Sequence, residues 1–187
     1  MKAIFLDRDG TINVDRRYVH RIEDFDFLPG AVEGLRILQD AGYALIVITN
    51  QSGIARGYYT EEDFLRLNAY MAETLAKRGV VIADTLYCPH LPDAKIIRYR
   101  KDCGCRKPKP GLYYEAAKKW DIDFSQSWAV GDRARDCAIC AETDCKGILI
   151  RPRISTEPPD SMPPPPGTRY AESLLEAALE ITGGKWA

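Results

Sequence analysis

The chain has 187 residues, of which 45% are hydrophobic and 28% charged, and its formal net charge is −1. Such a length and apolar content suit one domain with a substantial core. The near-zero charge excludes a general electrostatic pull toward nucleic acid or an anionic membrane, so a polyanionic ligand has to be held by a local basic site. The opening MKAIFLDRDG offers only the apolar run Ala3 to Leu6 before Asp7 breaks it, too short for an export signal. No apolar stretch approaches the roughly 18 residues that span a bilayer. The expectation is a monomer in the cytoplasm with no nucleic-acid and no membrane partner. In that reducing compartment, six cysteines point to metal before they point to disulfides.

Taken in chain order, KAIFL reads as a buried parallel strand whose carboxyl end is Asp7. Residues 8–29 are polar and turn-rich. Pro29-Gly30 then introduces AVEGLRILQDAG, a helix with Val32, Leu35, Ile37 and Leu38 inward and Gly42 as its stop. YALIVIT is a second buried strand, ending at Thr49, and TNQSGIARG a glycine-bearing loop. Thr60 with Asp63 has the spacing of a capping box, opening a helix to about Lys77 that turns Phe64, Leu67, Met71 and Leu75 inward. VIADTLYC is a third strand. Residues 88–111 show no strand or helix period, and a loop of that length inside a domain is usually functional. GLYYEAAKKW is a helix, SWAVGD a strand ending at Asp132, ARDCAICAET a helix and GILI a last strand. EPPDSMPPPPG reads as a stiff surface linker, because each proline removes a donor and fixes φ. The amphipathic ESLLEAALEIT closes the chain. The expected division is a domain over 1–153, with the linker and terminal helix of 154–187 packing on it.

The alternation of strands and helices calls for an α/β fold, a doubly wound parallel sheet with helices on both faces. Ligands bind such sheets at the carboxyl ends of the strands. Asp7, Thr49 and Asp132 each end a different strand, so the fold gathers them into one crevice. Asp7, Asp9, Asp132 and Asp136 then form a carboxylate cluster that is unfavourable unless a divalent cation sits among its oxygens, and hard oxygen ligands select Mg²⁺. Such a cation also offsets repulsion between an anionic nucleophile and a phosphate ester.

Within the long loop, Cys88-x-His90 and Cys103-x-Cys105 offer three thiolates and one imidazole, the closed Cys₃His set of structural Zn²⁺ sites. Arg106 and Lys107 directly follow the last ligand, so metal geometry would place them. Cys137 and Cys140 lie one helical turn apart with no histidine nearby and read as small buried hydrophobes, and Cys145 has no evident ligand role. His20 stands alone in a polar loop and reads as exposed or as a support residue, not as a ligand.

FLDRDGT, VITNQ, RKPKPG and VGDRARD resemble the four motifs of the haloacid dehalogenase superfamily of phosphatases. The resemblance implies a Rossmann-like core, Asp7 as a nucleophile that becomes an aspartyl-phosphate, and Asp9 as the acid and base. It implies Thr49 and Lys107 on the phosphoryl oxygens, and Mg²⁺ on the side chains of Asp7 and Asp132 and the main-chain carbonyl of Asp9. A carboxylate is ionised at neutral pH and needs no activating base, and like charges around Asp9 would raise its pKa toward a useful value. No insertion between strands is large enough for a cap domain, so a capless site is expected.

DRDGTINVDRRYVH, TNQSGIARGYYTEEDF and CPH…CGCRKPKPG carry a closer resemblance, over residues 1 to about 153. It is to the D-glycero-D-manno-heptose-1,7-bisphosphate 7-phosphatase family, which works in nucleotide-activated heptose biosynthesis. The resemblance implies a sugar-phosphate substrate contacted by Asp15, Arg16, Arg17, Tyr18, Thr49, Asn50, Gln51, Ser52, Arg106, Lys107 and Arg133. Arg106 and Arg133 are the candidates for a second phosphate, since guanidinium binds phosphate oxygens in pairs. The related histidinol-phosphate phosphatases share the zinc loop and remain an alternative. The long LPDAKIIRYRKD favours the heptose enzymes, and Arg133 the histidinol ones. A zinc-stabilised nucleic-acid or protein binding module is the alternative of another class, supported only by the basic run KIIRYRKDCGCRKPKPG.

Overall fold

In a computed structural model, which describes residues 1–151 and 162–184, six strands form one sheet. They are β1 (Ala3–Leu6), β2 (Ala44–Asn50), β3 (Asp84–Cys88), β4 (Trp128–Gly131), β5 (Lys146–Ile150) and β6 (Arg169–Ala171). Their order is β3-β2-β1-β4-β5-β6, and every neighbouring pair is parallel. The helices are α1 (Ala31–Asp40), α2 (Ser52–Arg56), α3 (Glu61–Ala76), α4 (Gly111–Trp120) and α5 (Leu174–Thr182).

The period of two along each strand sends side chains to opposite faces. Ile4 and Leu6 of β1 join Val47, Val130 and Ile148 under α1, α3 and α5, whereas Ala3 and Phe5 join Ile46, Ile48 and Ala129 under α4. Both faces are therefore dry, which is why the strands read as apolar runs without alternation. Thr60 and Asp63 form the capping box of α3, with Asp63 N–H donating to Thr60 Oγ1 at 3.1 Å and Thr60 N–H to Asp63 Oδ2 at 2.9 Å. Phe64, Leu67, Met71 and Leu75 are its buried residues. Helix α5 lies against α1 so closely that a Cβ on Gly34 would meet the Leu174 carbonyl oxygen at 2.6 Å. Leu174, Ala177 and Ala178 are buried in the core shared with Leu35 and Leu38.

Four elements differ from the sequence reading. Residues 52–56 are helical where a loop was expected, and the third strand begins at Asp84. Ala134–Ala141 winds as a tight 3₁₀ helix, and β6 adds a strand beyond β5. Most of the proline-rich linker, through Ser161, lies outside the described residues.

The chain runs from β1 outward to β2 and β3, then returns to the other side of β1 for β4. That reversal leaves a crevice at the carboxyl ends of β1 and β4, where open parallel sheets take their ligands. Leu6 is in register with Val47 on one side and Val130 on the other, and Asp7 N–H donates to Val130 O at 3.0 Å. Asp7 thus enters the crevice fixed by the sheet itself.

Candidate active site

The crevice is a cleft of about 190 Å³ lined by, among others, Asp7, Thr49, Asn50, Lys107 and Asp132. Asp7 is 8% exposed and Lys107 2% exposed, so the pair meets with little water between. Lys107 Nζ lies 2.8 Å from Asp7 Oδ1, 2.7 Å from Asp136 Oδ1 and 2.5 Å from Ile48 O. Three acceptors match the three ammonium protons. Burial works against the charged amine, but Asp136 and Asp7 outweigh it and hold the Lys107 pKa above the ordinary lysine value. Asp136 Oδ2 accepts from Arg133 N–H at 2.9 Å, so this carboxylate is committed to positioning.

Asp132 follows β4 directly. Gly10, at φ +83°, lets the loop after β1 pass over it, since a Cβ there would stand 2.5 Å from Asp132 Oδ2. Burial first, and then the charges of Asp136 and Asp7, push the Asp132 pKa up to about 8. Oxygens of Asp7, Asp132 and Asp136 all lie within 4.8 Å of one another. A hard divalent cation fits that donor set and relieves the repulsion within it. Asp136 has both oxygens engaged, Oδ1 by Lys107 and Oδ2 by Arg133 N–H, whereas Lys107 engages only Oδ1 of Asp7.

Asp9 also lines the cleft but stands apart from that carboxylate group. Its carboxylate accepts from Arg8 Nη2 at 2.9 Å, Asn13 Nδ2 at 3.0 Å and Gln51 Nε2 at 3.1 Å. The sequence reading surrounded Asp9 with like charge, whereas its nearest charged neighbour is the guanidinium of Arg8. Arg8 is 1% exposed, donates to Val19 O at 2.9 Å and lies over the Phe64 ring. An arginine between two aspartates reads as a solvated turn, and nothing in the sequence marks it as buried.

The long loop brings Cys88, His90, Cys103 and Cys105 together, as their spacing implied. Sulfur–sulfur distances are 3.1–3.4 Å, too long for a covalent bond, and His90 Nδ1 lies 3.4 Å from Cys105 Sγ. Burial pushes the Cys88 thiol up, a cost that coordination of the thiolate to a cation reverses. The four donors fit a closed tetrahedral Zn²⁺ shell. Among the described residues, Cys137, Cys140 and Cys145 belong to no such group. Cys137 is fully buried, its Sγ 3.6 Å from Ala129 O.

Of the residues inferred to meet the substrate, Asp15, Tyr18, Thr49, Asn50, Gln51, Ser52, Arg106, Lys107 and Arg133 line the cleft. Arg16 and Arg17 lie outside that lining. Arg16 turns to Asp26 at 2.6 Å and Asp24 O at 2.8 Å. Asn50 spends its amide on the backbone of Lys107, and Arg133 Nε lies 3.3 Å from Asp132 Oδ2. Arg56, at the end of α2, and Arg135 also line the cleft, and the sequence reading missed both. Burial lowers the pKa of Arg106, and the neighbouring cations Arg135 and Arg56 add to the effect. The cleft therefore carries both a carboxylate group and several guanidinium groups.

A doubly wound sheet with carboxylates, a buried lysine and a threonine at its switch point defines a hydrolase of the haloacid dehalogenase class. A family model described as HAD-hyrolase-like matches residues 104–177. A D-glycero-beta-D-manno-heptose-1,7-bisphosphate 7-phosphatase of Pasteurella multocida is 51% identical over 180 residues, 96% of this chain and 94% of that one. Its counterpart in Photorhabdus laumondii is 51% identical over 151 residues, 80% of each chain. The crystal structure of D,D-heptose 1,7-bisphosphate phosphatase from B. bronchiseptica, complexed with magnesium and phosphate, superposes with a TM-score of 0.83. It is 32% identical and covers 98% of this chain and 99% of that one. The chain belongs to the D-glycero-beta-D-manno-heptose-1,7-bisphosphate 7-phosphatase family.

Proposed function

We propose that the chain removes the 7-phosphate of D-glycero-D-manno-heptose 1,7-bisphosphate through an aspartyl-phosphate on Asp7. The observation that carries this reading is the 51% identity to a phosphatase of that name across 96% of the chain. In the first step an Asp7 oxygen attacks phosphorus, the bond to the C7 oxygen breaks, and the Asp9 proton passes to the departing alkoxide. In the second, Asp9 takes a proton from water as that water attacks phosphorus, releasing phosphate and restoring Asp7. Lys107 exchanges one of its present acceptors for a phosphoryl oxygen, and Thr49 Oγ1 donates to another. Mg²⁺, when held by Asp7, Asp132 and the Asp9 main-chain carbonyl, supplies neutralising charge. Zn²⁺ on Cys88, His90, Cys103 and Cys105 is structural and fixes the loop that carries Lys107. The distal phosphate goes to Arg106, with Arg56 and Arg135 beside it. Arg133, drawn toward Asp132, serves the reacting end.

The chain acts as a monomer in the cytoplasm in this reading, without nucleic-acid or membrane partners. Among the described residues no helix is long and apolar enough to cross a membrane. The test is kcat/KM for heptose bisphosphate, fructose bisphosphate and histidinol phosphate measured side by side. The reading expects the heptose ester to lead, and preference for histidinol phosphate would overturn it.

A further inference from the structure

Tyr59 lies within TNQSGIARGYYTEEDF, where the sequence reading assigned it no role, yet its phenol ends a chain of contacts that reaches two residues of the site. Tyr59 Oη donates to Gln51 Oε1 at 2.6 Å. The opposite end of that amide, Nε2, donates both to Asp9 Oδ2 at 3.1 Å and to Thr49 Oγ1 at 2.9 Å. Gln51 is 2% exposed and Tyr59 7% exposed, so water is poorly placed to substitute for either partner. Tyr59 is itself held. His20 stacks on its ring at 4.9 Å with an interplanar angle of 8°, and Ile54, Ala55 and Phe64 share its apolar cluster. Gly53 makes room for it, since a Cβ there would come within 2.1 Å of the ring.

We infer that Tyr59 is a positioning residue, whose hydroxyl fixes the Gln51 amide so that its NH₂ end aims the carboxyl of Asp9. A carboxylate and a hydroxyl oxygen facing Gln51 both call for a donor. A phenol anchored behind the carbonyl end keeps the donor turned toward them. Burial, and then the charge of Asp9, push the Tyr59 pKa up, so the phenol keeps its proton and remains a donor. Once the hydroxyl is gone, a buried carbonyl loses its partner, and the amide is free to turn or tilt.

The inference rests on Asp9 delivering the proton to the leaving group, and its test separates the two claims. An alkyl phosphate needs that proton, whereas p-nitrophenyl phosphate, with a stable phenolate leaving group, needs it little. Tyr59→Phe should lower kcat/KM for the sugar bisphosphate about tenfold, the size of one lost buried hydrogen bond. It should leave p-nitrophenyl phosphate within about twofold. In a Gln51→Ala background the same substitution should cost nothing more, because both act through one amide. Parallel losses on both esters, additive losses with Gln51→Ala, or no loss at all would overturn the inference. Asp9→Asn serves as the reference. If Asp9→Asn lowers kcat/KM, which reads only as far as phosphoryl transfer to Asp7, equally for both esters, the proton-donor reading of Asp9 falls. If it is selective and Tyr59→Phe is not, only the inference on Tyr59 falls.

Discussion

Asn50 and Lys107, 57 positions apart, are joined at two points: Asn50 Nδ2 donates to Lys107 O at 3.0 Å, and Lys107 N–H donates to Asn50 Oδ1 at 3.0 Å. The end of β2 thereby grips the loop at the residue that carries the buried ammonium. Asn50→Ala should lower kcat/KM about tenfold, as expected for two lost hydrogen bonds of roughly 0.5–1.5 kcal/mol each. Asn50→Asp should do no better, since it keeps one bond and turns a carboxylate oxygen against a carbonyl. Steady-state kinetics on the sugar bisphosphate check this, and wild-type rates in either variant would mean the grip is idle.

Asp7→Asn should abolish both turnover and acid-stable radiolabelling of the protein by substrate phosphate. Asp9→Asn should still bind substrate, while its turnover falls by about two orders of magnitude or more, the usual size of general acid–base help. Labelling and single-turnover rates distinguish the two variants. Substantial activity in Asp7→Asn removes it as nucleophile.

Chelation at neutral pH should stop activity reversibly, with Mg²⁺ restoring it while zinc stays bound in its closed shell. Elemental analysis of purified protein should find about one zinc per chain, four protein ligands completing one tetrahedral site. Protein purified without zinc, and yielding none on denaturation, would end the four-ligand assignment. Cys103→Ser should lower Tm and raise KM together, because the same loop folds around the metal and presents Lys107.

Arg106→Ala should cost the bisphosphate roughly tenfold to a hundredfold in kcat/KM, the range for a lost charge-assisted contact. A monophosphate of the same sugar never had that contact and should lose much less. Arg56→Ala should shift the same ratio in the same direction. An unchanged ratio in both variants would place the distal phosphate elsewhere.

Glu61 accepts from Tyr87 Oη and Tyr99 Oη, each at 2.5 Å, and these bonds, Tyr87's first, hold its pKa below the ordinary glutamate value. A carboxyl depressed in the folded state stabilises fully above its unfolded pKa, roughly 4.3, and loses that contribution as pH falls through the folded value. Thermal unfolding of wild type and Glu61→Gln should therefore differ at pH 7, and the gap should narrow below about pH 4. A gap that stays constant with pH would show that ionisation of Glu61 contributes nothing.

The strands that build the crevice were legible because both sheet faces are buried, so AIFL and ALIVIT read as unbroken apolar runs. Strand β6 was not, since Arg169 and Tyr170 are exposed and three residues leave no pattern. Helix α2 hid behind Gly53, which reads as a loop residue but is there to admit the Tyr59 ring. Asp7, Thr49 and Asp132 announced themselves by ending strands. What escaped was contact made only by folding. The Lys107–Asp136 pair spans 29 positions, Arg8 turns inward from a polar string, and Arg56 and Arg135 sit inside quoted motifs at positions that spacing alone gave no role.

The two-point grip of Asn50 also governs what can be exchanged between relatives. The cysteine–histidine loop does not stand alone as a transplantable cassette, because its buried lysine is seated by a side chain from β2. A chimera that imports residues 88–109 from another member has to carry a matching amide at position 50. Evolution of the loop is tied in the same way: drift at one partner constrains the other, although more than fifty residues of chain lie between them.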